Sequence, residues 1–203
     1  MNLNFWYQRG NTKVCPLMSA ASKGSLEMLD LILTNRNIDI QIKNENGVNA
    51  FWIACLYGHG DTMKTLAEKD IDIFCTNPSK VNVLHLATNK NYKNIVTMLL
   101  DSEYPLDLET DEGMTAFQLA AYHGHIEIVK QIIAYLKIRE DKELKELVLN
   151  KVNPKSHLST LGYSILSQNF EISKLLIEFG ARSYYNETDK QMDFSPIFMA
   201  VQK

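Results

Sequence analysis

A chain of 203 residues, 45% hydrophobic and 22% charged, is long enough to bury a sizeable core and fits one or two ordinary domains. Its 21 Lys and Arg against 24 Asp and Glu leave a net charge of −3, without the basic excess of a nucleic-acid-binding protein. Three cysteines, an odd number with no CxxC pair, argue against a disulfide framework and for a reducing compartment. The first residues, Met1 to Trp6, lack the basic region and apolar run of a secretory signal. No apolar stretch approaches the roughly 20 residues that cross a bilayer. The reading is of a soluble, cytoplasmic protein that neither inserts into membranes nor binds nucleic acid.

The chain repeats itself. The first unit runs Cys15-Pro16-Leu17-Met18-Ser19-Ala20-Ala21, then Gly24-Ser25-Leu26-Glu27. The second runs Asn49-Ala50-Phe51-Trp52-Ile53-Ala54-Cys55, then Gly58-His59, and the third Asn82-Val83-Leu84-His85-Leu86-Ala87. The fourth, Thr115-Ala116-Phe117-Gln118-Leu119-Ala120-Ala121 followed by Gly124-His125-Ile126-Glu127-Ile128-Val129, is the clearest. A weaker fifth opens at Ser159, and a sixth is only begun at Ser195-Pro196-Ile197-Phe198-Met199-Ala200. From Cys15 to Ser195 the successive spacings are 34, 33, 33, 44 and 36 residues.

Physical chemistry supports that alignment. Asn49, Asn82, Thr115, Ser159 and Ser195 can each cap a helix, because their side-chain oxygen accepts an otherwise orphaned N–H. Pro16 and Pro196 fall at the first helical position, where a missing N–H costs nothing. Cys15 is a poor cap. The pairs Ala20/Ala21, Ala54/Cys55, Ala87/Thr88 and Ala120/Ala121 are small and allow close helix packing. Gly24, Gly58 and Gly124 suit the left-handed end of a short helix. A second helix per unit carries an apolar ridge at three- and four-residue steps: Leu29, Ile32 and Leu33; Met63, Leu66 and Ala67; Val96, Leu99 and Leu100; Val129, Ile132 and Ile133.

These motifs resemble the ankyrin repeat, with its T-P-L-H-x-A first helix, its G-H-x-E-I-V second helix and its period of about 33 residues. The resemblance covers roughly residues 11 to 203. It implies an all-α fold: one ankyrin-repeat solenoid domain of stacked helix–turn–helix units with short hairpin-like loops. The repeats would span about 11–43, 44–76, 77–109, 110–136, 151–185 and, in part, 186–203, with an insertion at 137–150. Arg139/Glu143, Asp141/Lys145 and Lys142/Glu146 in that insertion favour a solvated helix or long loop. The sharper alternative is a docking element with Leu144, Leu147 and Val148 facing a partner.

Chemistry-bearing motifs are missing from the pattern. His123 and His125 have no third ligand nearby, and His85 sits at the family's structural histidine. No phosphate loop, nucleophile elbow or carboxylate pair stands out. The sequence therefore reads as a non-enzymatic chain without metal or cofactor, binding a partner protein or peptide. Members of the family bind through the concave face of the first helices and the fingertips before them. Carried over, the fingertip contacts are Glu45, Asn46 and Val48; Ser79, Lys80 and Val81; Asp111, Glu112 and Met114. The concave contacts are Leu56 and Tyr57, Asn89 and Lys90, Tyr122 and His123. Tyr57 and Tyr122 are read as equivalent positions two repeats apart, leaving their helices in the same direction. The alternative is a targeting or regulatory segment of a larger enzyme, kinase or channel whose working domain lies past residue 203, since the sixth repeat is unfinished.

Overall fold

The computed structural model describes residues 4–9 and 12–182, so the begun sixth repeat at Ser195–Ala200 lies outside the described residues. The fold is helical. Among the described residues there are eleven α-helices and one two-stranded hairpin. They fall into two compact units, residues 1–87 and 88–203, taken in turn.

The first unit opens with the antiparallel strands β1 (Tyr7–Arg9) and β2 (Thr12–Val14), which precede the first helix. Then come α1 (Pro16–Lys23), α2 (Leu26–Leu33), α3 (Ala50–Leu56), α4 (Gly60–Ala67) and the start of α5 (Val83–Asn89). Inner helix α1 packs on α3, and outer helix α2 packs on α4. The small residues Ala20, Ala21, Ala54 and Cys55 are all buried beside Leu17, Met18 and Phe51. In the outer layer Leu29, Ile32, Met63 and Leu66 are buried, whereas Leu33 is half-buried and Ala67 exposed. The ridge here is narrower than its sequence pattern, because a two-helix outer layer covers only one stripe of each helix.

Local chemistry sets the helix starts. Asn49 Oδ1 accepts from the Trp52 N–H at 3.1 Å, and Asn82 Oδ1 from the His85 N–H at 2.9 Å. Cys15 makes no such bond, although Pro16 still opens α1. His85 is structural: its Nδ1 accepts from the Asn82 N–H at 3.3 Å, closing a reciprocal cap. Gly24 and Gly58 end their inner helices at φ of 65° and 78°.

The loops before the inner helices form small fingers. Asn44 and Asn77 anchor them, each Oδ1 accepting two backbone N–H groups, from Asn46 and Val48 and from Ser79 and Val81. Gln41 lies between successive loops, donating to the Asp70 carbonyl and accepting from the Asp72 N–H. Lys43 Nζ meets Asp72 Oδ2 at 2.8 Å. Burial pushes the Asp72 carboxyl up, but the Lys43 ammonium and the Phe74 N–H outweigh it and hold the group below its ordinary value.

The second unit contains α6 (Lys93–Asp101), α7 (Ala116–His123), α8 (Ile126–Arg139), α9 (Lys142–Leu149), α10 (Thr160–Leu166) and α11 (Phe170–Phe179). Inner α7 packs on α10, and outer α8 on both α6 and α11. The full ridge of Val96, Leu99, Leu100, Val129, Ile132 and Ile133 is buried. Thr115 and Gln118 form a complete capping box, and Ser159 Oγ accepts from the Gly162 N–H at 3.2 Å. Thr110 and Asn153 anchor this unit's fingers as Asn44 and Asn77 do in the first. Lys151 ties them, donating to the Asp107 carbonyl and pairing with Glu109 at 2.8 Å.

The insertion resolves into a lengthened outer helix and a separate one. Helix α8 runs for 14 residues to a left-handed Glu140, and Asp141 then caps α9 by accepting from the Leu144 N–H at 2.9 Å. Val148 is buried, which corrects its reading as a partner-facing residue; Leu147 is exposed and Leu144 half-buried. Lys145 Nζ stands 4.2 Å over the Phe179 ring, and Arg182 meets Glu146 at 3.3 Å. The apolar end of α9, Val148 and Leu149, is thus buried in the fold.

Two outcomes follow for stability. A Cβ added at Gly24 would lie 2.5 Å from His59 Nδ1, and that ring is held by Ser22, whose carbonyl faces its Nε2 at 3.2 Å. At Gly47 the nearest atom would be 3.5 Å away. Both glycines have left-handed φ, so either alanine costs about 1 kcal/mol or more for the backbone. Gly24→Ala should therefore lower the urea midpoint clearly further than Gly47→Ala; equal losses would show that the His59 ring moves freely. The second outcome concerns Asp72. A depressed folded-state carboxyl adds stability above its ordinary pKa, and that stability is lost as pH falls through the lower folded value. Asp72→Asn should be less stable than wild type at pH 7, and acid titration of the two melting curves should bring them together below the ordinary carboxylate range.

Candidate functional site

The predicted contact residues fall into two sets, one per unit. In the first, Glu45 and Lys80 are exposed at finger tips, Tyr57 is 55% exposed and Leu56 half-buried. Val48 is corrected: it is only 2% exposed, and its backbone N–H donates to Asn44 Oδ1 within the finger. Asn46 and Ser79 are exposed and Val81 half-buried. In the second unit Asn89, Lys90, Asp111, Glu112 and His123 are exposed, Tyr122 is 44% exposed, and Met114 is half-buried.

The two tyrosines are not equivalent, which corrects their pairing by one residue and leaves the repeat alignment as it stood. The left-handed glycines fix the register: Gly58 follows Tyr57, and Gly124 follows His123. Tyr57 therefore matches His123, and Leu56 matches Tyr122. Ring contacts agree with this register. Tyr57 stacks on His59 with centroids 6.5 Å apart, and His123 stacks on His125 at 5.6 Å. Tyr122 instead sets its edge against Tyr163, 6.0 Å away, whose hydroxyl lies 2.7 Å from Ser156 Oγ. Burial pushes the pKa of the Tyr163 phenol up and that of the His125 imidazole down, so neutral forms of both are favoured.

The first unit also holds a groove of about 640 Å³ between its fingers and its inner helices. Met18, Trp52, Ile53, Leu56 and Tyr57 supply an apolar lining, and Asn44, Asn46 and Asn77 supply amides. Trp52 donates from Nε1 to the Val81 carbonyl at 3.2 Å, which holds its indole plane in place. Gln118 makes the corresponding reach in the second unit, donating to the Lys151 carbonyl at 2.9 Å. Sequence reasoning treated Trp52 only as a departure from the structural histidine and passed over Asn44 and Asn77 altogether. The available signal was an Asn five residues before each cap, at Asn44 and Asn77, with Gly47 completing one of the turns.

The reactive residue types are quiet. Cys15, Cys55 and Cys75 are free and buried, and burial pushes the Cys55 thiol up to about 12. Among the described residues no three His, Cys, Asp or Glu side chains gather as a metal site would require. Among them, too, no helix is long and apolar enough to cross a membrane.

Comparison with known proteins agrees with this geometry. A family model for ankyrin repeats in three copies matches residues 3–77 and 71–143. Among curated proteins, the chain is 26% identical over 148 residues to a putative ankyrin repeat protein of Acanthamoeba polyphaga mimivirus, covering 73% of this chain and 18% of that protein. It is 30% identical over 101 residues to an ankyrin repeat and KH domain-containing protein of Caenorhabditis briggsae, covering 50% of this chain and 4% of that one. A probable E3 ubiquitin-protein ligase of Oryza sativa subsp. japonica is 25% identical over 149 residues, covering 58% and 30%. The chain thus spans less than a third of the length of each of these relatives. Capped inner helices, glycine-ended turns, fingers anchored 33 residues apart and the matching family model lead to one conclusion: the chain belongs to the ankyrin-repeat family, whose repeats are in general protein–protein interaction modules.

Proposed function

We propose that this chain is a non-catalytic interaction module that binds a partner protein or peptide on the inner-helix faces and finger tips of its repeats. The observation that carries the reading is the set of exposed side chains at the ends of the inner helices. Tyr57, beside the half-buried Leu56, and Tyr122–His123 stand at the ends of helices whose caps and left-handed termini are fixed by hydrogen bonds within the fold. A surface organised before binding loses little entropy on association, and Tyr offers large contact area with only two rotatable angles. Glu45, Lys80, Asp111, Glu112 and Met114 at the fingers, and Asn89 and Lys90 at the end of α5, extend the proposed contacts; nucleic acid and membrane are not among the proposed partners. Three unpaired cysteines fit a reducing compartment such as the cytoplasm.

A second reading is supported by the relatives' lengths. Because the chain matches only 18%, 4% and 30% of them, the repeats also suit a targeting or regulatory segment within a longer protein, its working domain elsewhere in that chain. The recognition surface is the same in both readings.

The test uses whichever partner is recovered with the intact chain. The double change Tyr57→Ala and Tyr122→Ala should weaken its binding by at least about 2 kcal/mol. Melting should move little, since exposed substitutions alter stability by roughly 0.5 kcal/mol. Calorimetry showing unchanged affinity in the folded double variant would move the contact to another face, such as the exposed side of α9.

A further inference from the structure

The outer helix α2 of the first unit leaves apolar surface uncovered. Met28 lies four residues after the left-handed Gly24 that ends α1. At the same position on α4, α8 and α11 stand Thr62, Ile128 and Ile172, four residues after the left-handed Gly58, Gly124 and Gln168. All three are buried, and each of those helices packs on an outer helix that precedes it, α2, α6 and α8 respectively. Among the described residues no outer helix precedes α2, and Met28 is 49% exposed. Leu31, three residues on and on the same side of the helix, is 66% exposed. A terminal repeat ordinarily turns a polar face outward, and α2 instead presents two adjacent apolar side chains.

The charges around this face are self-complementary. Glu27 is in the first turn of α2, four residues before Leu31 and on its side of the helix. Arg36 lies just beyond the helix end, whose last turn holds no basic residue. Glu27 and Arg36 are both exposed, and neither makes an ion pair among the described residues. Asp30 falls about 100° round the helix from Leu31 and outside this stripe. The stripe thus runs from an acid, through Met28 and Leu31, to a base. Turned end for end about Leu31, it meets itself with acid opposite base and apolar opposite apolar. Exposed ion pairs contribute little affinity, but they select partner and orientation.

We infer that α2 is a self-association surface: two copies of this chain pair through antiparallel α2 helices about a two-fold axis at Leu31, covering Met28 and Leu31 of each and setting Glu27 of one copy against Arg36 of the other. The paired helix takes the place beside α2 that a preceding outer helix takes beside α4, α8 and α11. A symmetric pairing uses the same patch on both copies, so the assembly closes at two. The patch is small, which makes the dimer weak and concentration-dependent. The inference goes beyond the interaction reading: the pairing lies in the outer layer, so Leu56 and Tyr57 at the end of inner helix α3 stay free and one dimer carries two recognition surfaces.

The experiment is sedimentation velocity on the intact chain from low to high micromolar concentration. The average mass should climb from the 23.2 kDa monomer toward twice that value and no further. Leu31→Glu should raise the dissociation constant more than about tenfold. Glu27→Arg and Arg36→Glu should each weaken the dimer, and the two together should restore it, because the reversed pair keeps its match. Leu26→Glu, exposed on another side of α2, and Ile177→Glu, exposed on α11, should leave the mass curve unchanged. All of these positions are exposed, and melting curves verify that the variants fold. A chain that stays monomeric throughout, a dimer indifferent to Leu31→Glu, or a double reversal as weak as either single change would overturn the inference. So would association that runs past two copies and is lost with Ile177→Glu, which would mark a head-to-tail contact instead. The partner-binding test of the Tyr57 and Tyr122 double change stands separately from all of these results.

Discussion

At the start of every described inner helix but α1 a side-chain oxygen accepts the N–H three residues on, and much of the remaining structure depends on that bond. Asn49, Asn82, Thr115 and Ser159 provide it, and all four are buried. A cap of this kind is worth about 1 kcal/mol, a modest amount by itself. Its importance is geometric. It fixes where the helix begins, hence which residues face the neighbouring inner helix and which finger precedes it. The same residues also reach outward: Asn49 Nδ2 donates to the Asp72 carbonyl, so one amide both starts a helix and holds the next loop.

From that point the array follows from apolar burial. A single helix pair cannot cover its own ridge, so each must lie against the next, and the energy is shared between neighbours. Within the first unit α1 meets α3 and α2 meets α4; within the second α7 meets α10 and α8 meets α6 and α11. Ala and Cys at the inner contacts allow that approach. The added helix α9 obeys the same rule, burying Val148 and Leu149 and leaving its charged side to solvent.

Packing of this kind leaves an inner surface that is ordered without being filled. Trp52 and Gln118 occupy the same helical position and each hydrogen-bonds to the loop beyond, yet one presents an indole and the other an amide. The scaffold tolerates both because the bond goes to a backbone carbonyl and makes no demand on the rest of the side chain. Binding chemistry can therefore vary from repeat to repeat while the fold does not.

Cap residues, glycine-ended turns and most of the outer ridges were legible in the sequence, because each is a local rule read over three to five residues, and the repeat period followed from their recurrence. Pro16 at a helix start and Gly24 and Gly124 at left-handed ends needed no knowledge of distant contacts. The surface was less legible. Val48 and Val148 look like candidates for contact, but whether a valine at a loop or helix end is buried depends on what folds over it. Tyr57 and Tyr122 were paired one residue out of step, although the spacing from their caps, Asn49 and Thr115, already sets Tyr57 against His123. The groove beside Trp52 brings together residues as far apart as Val14 and Pro78, although Asn44 and Asn77 within it are oriented by their own fingers. Period, caps and register are set by the pattern along the chain; exposure and the shape of a binding surface are set by neighbours in space, and only the tertiary structure decides them.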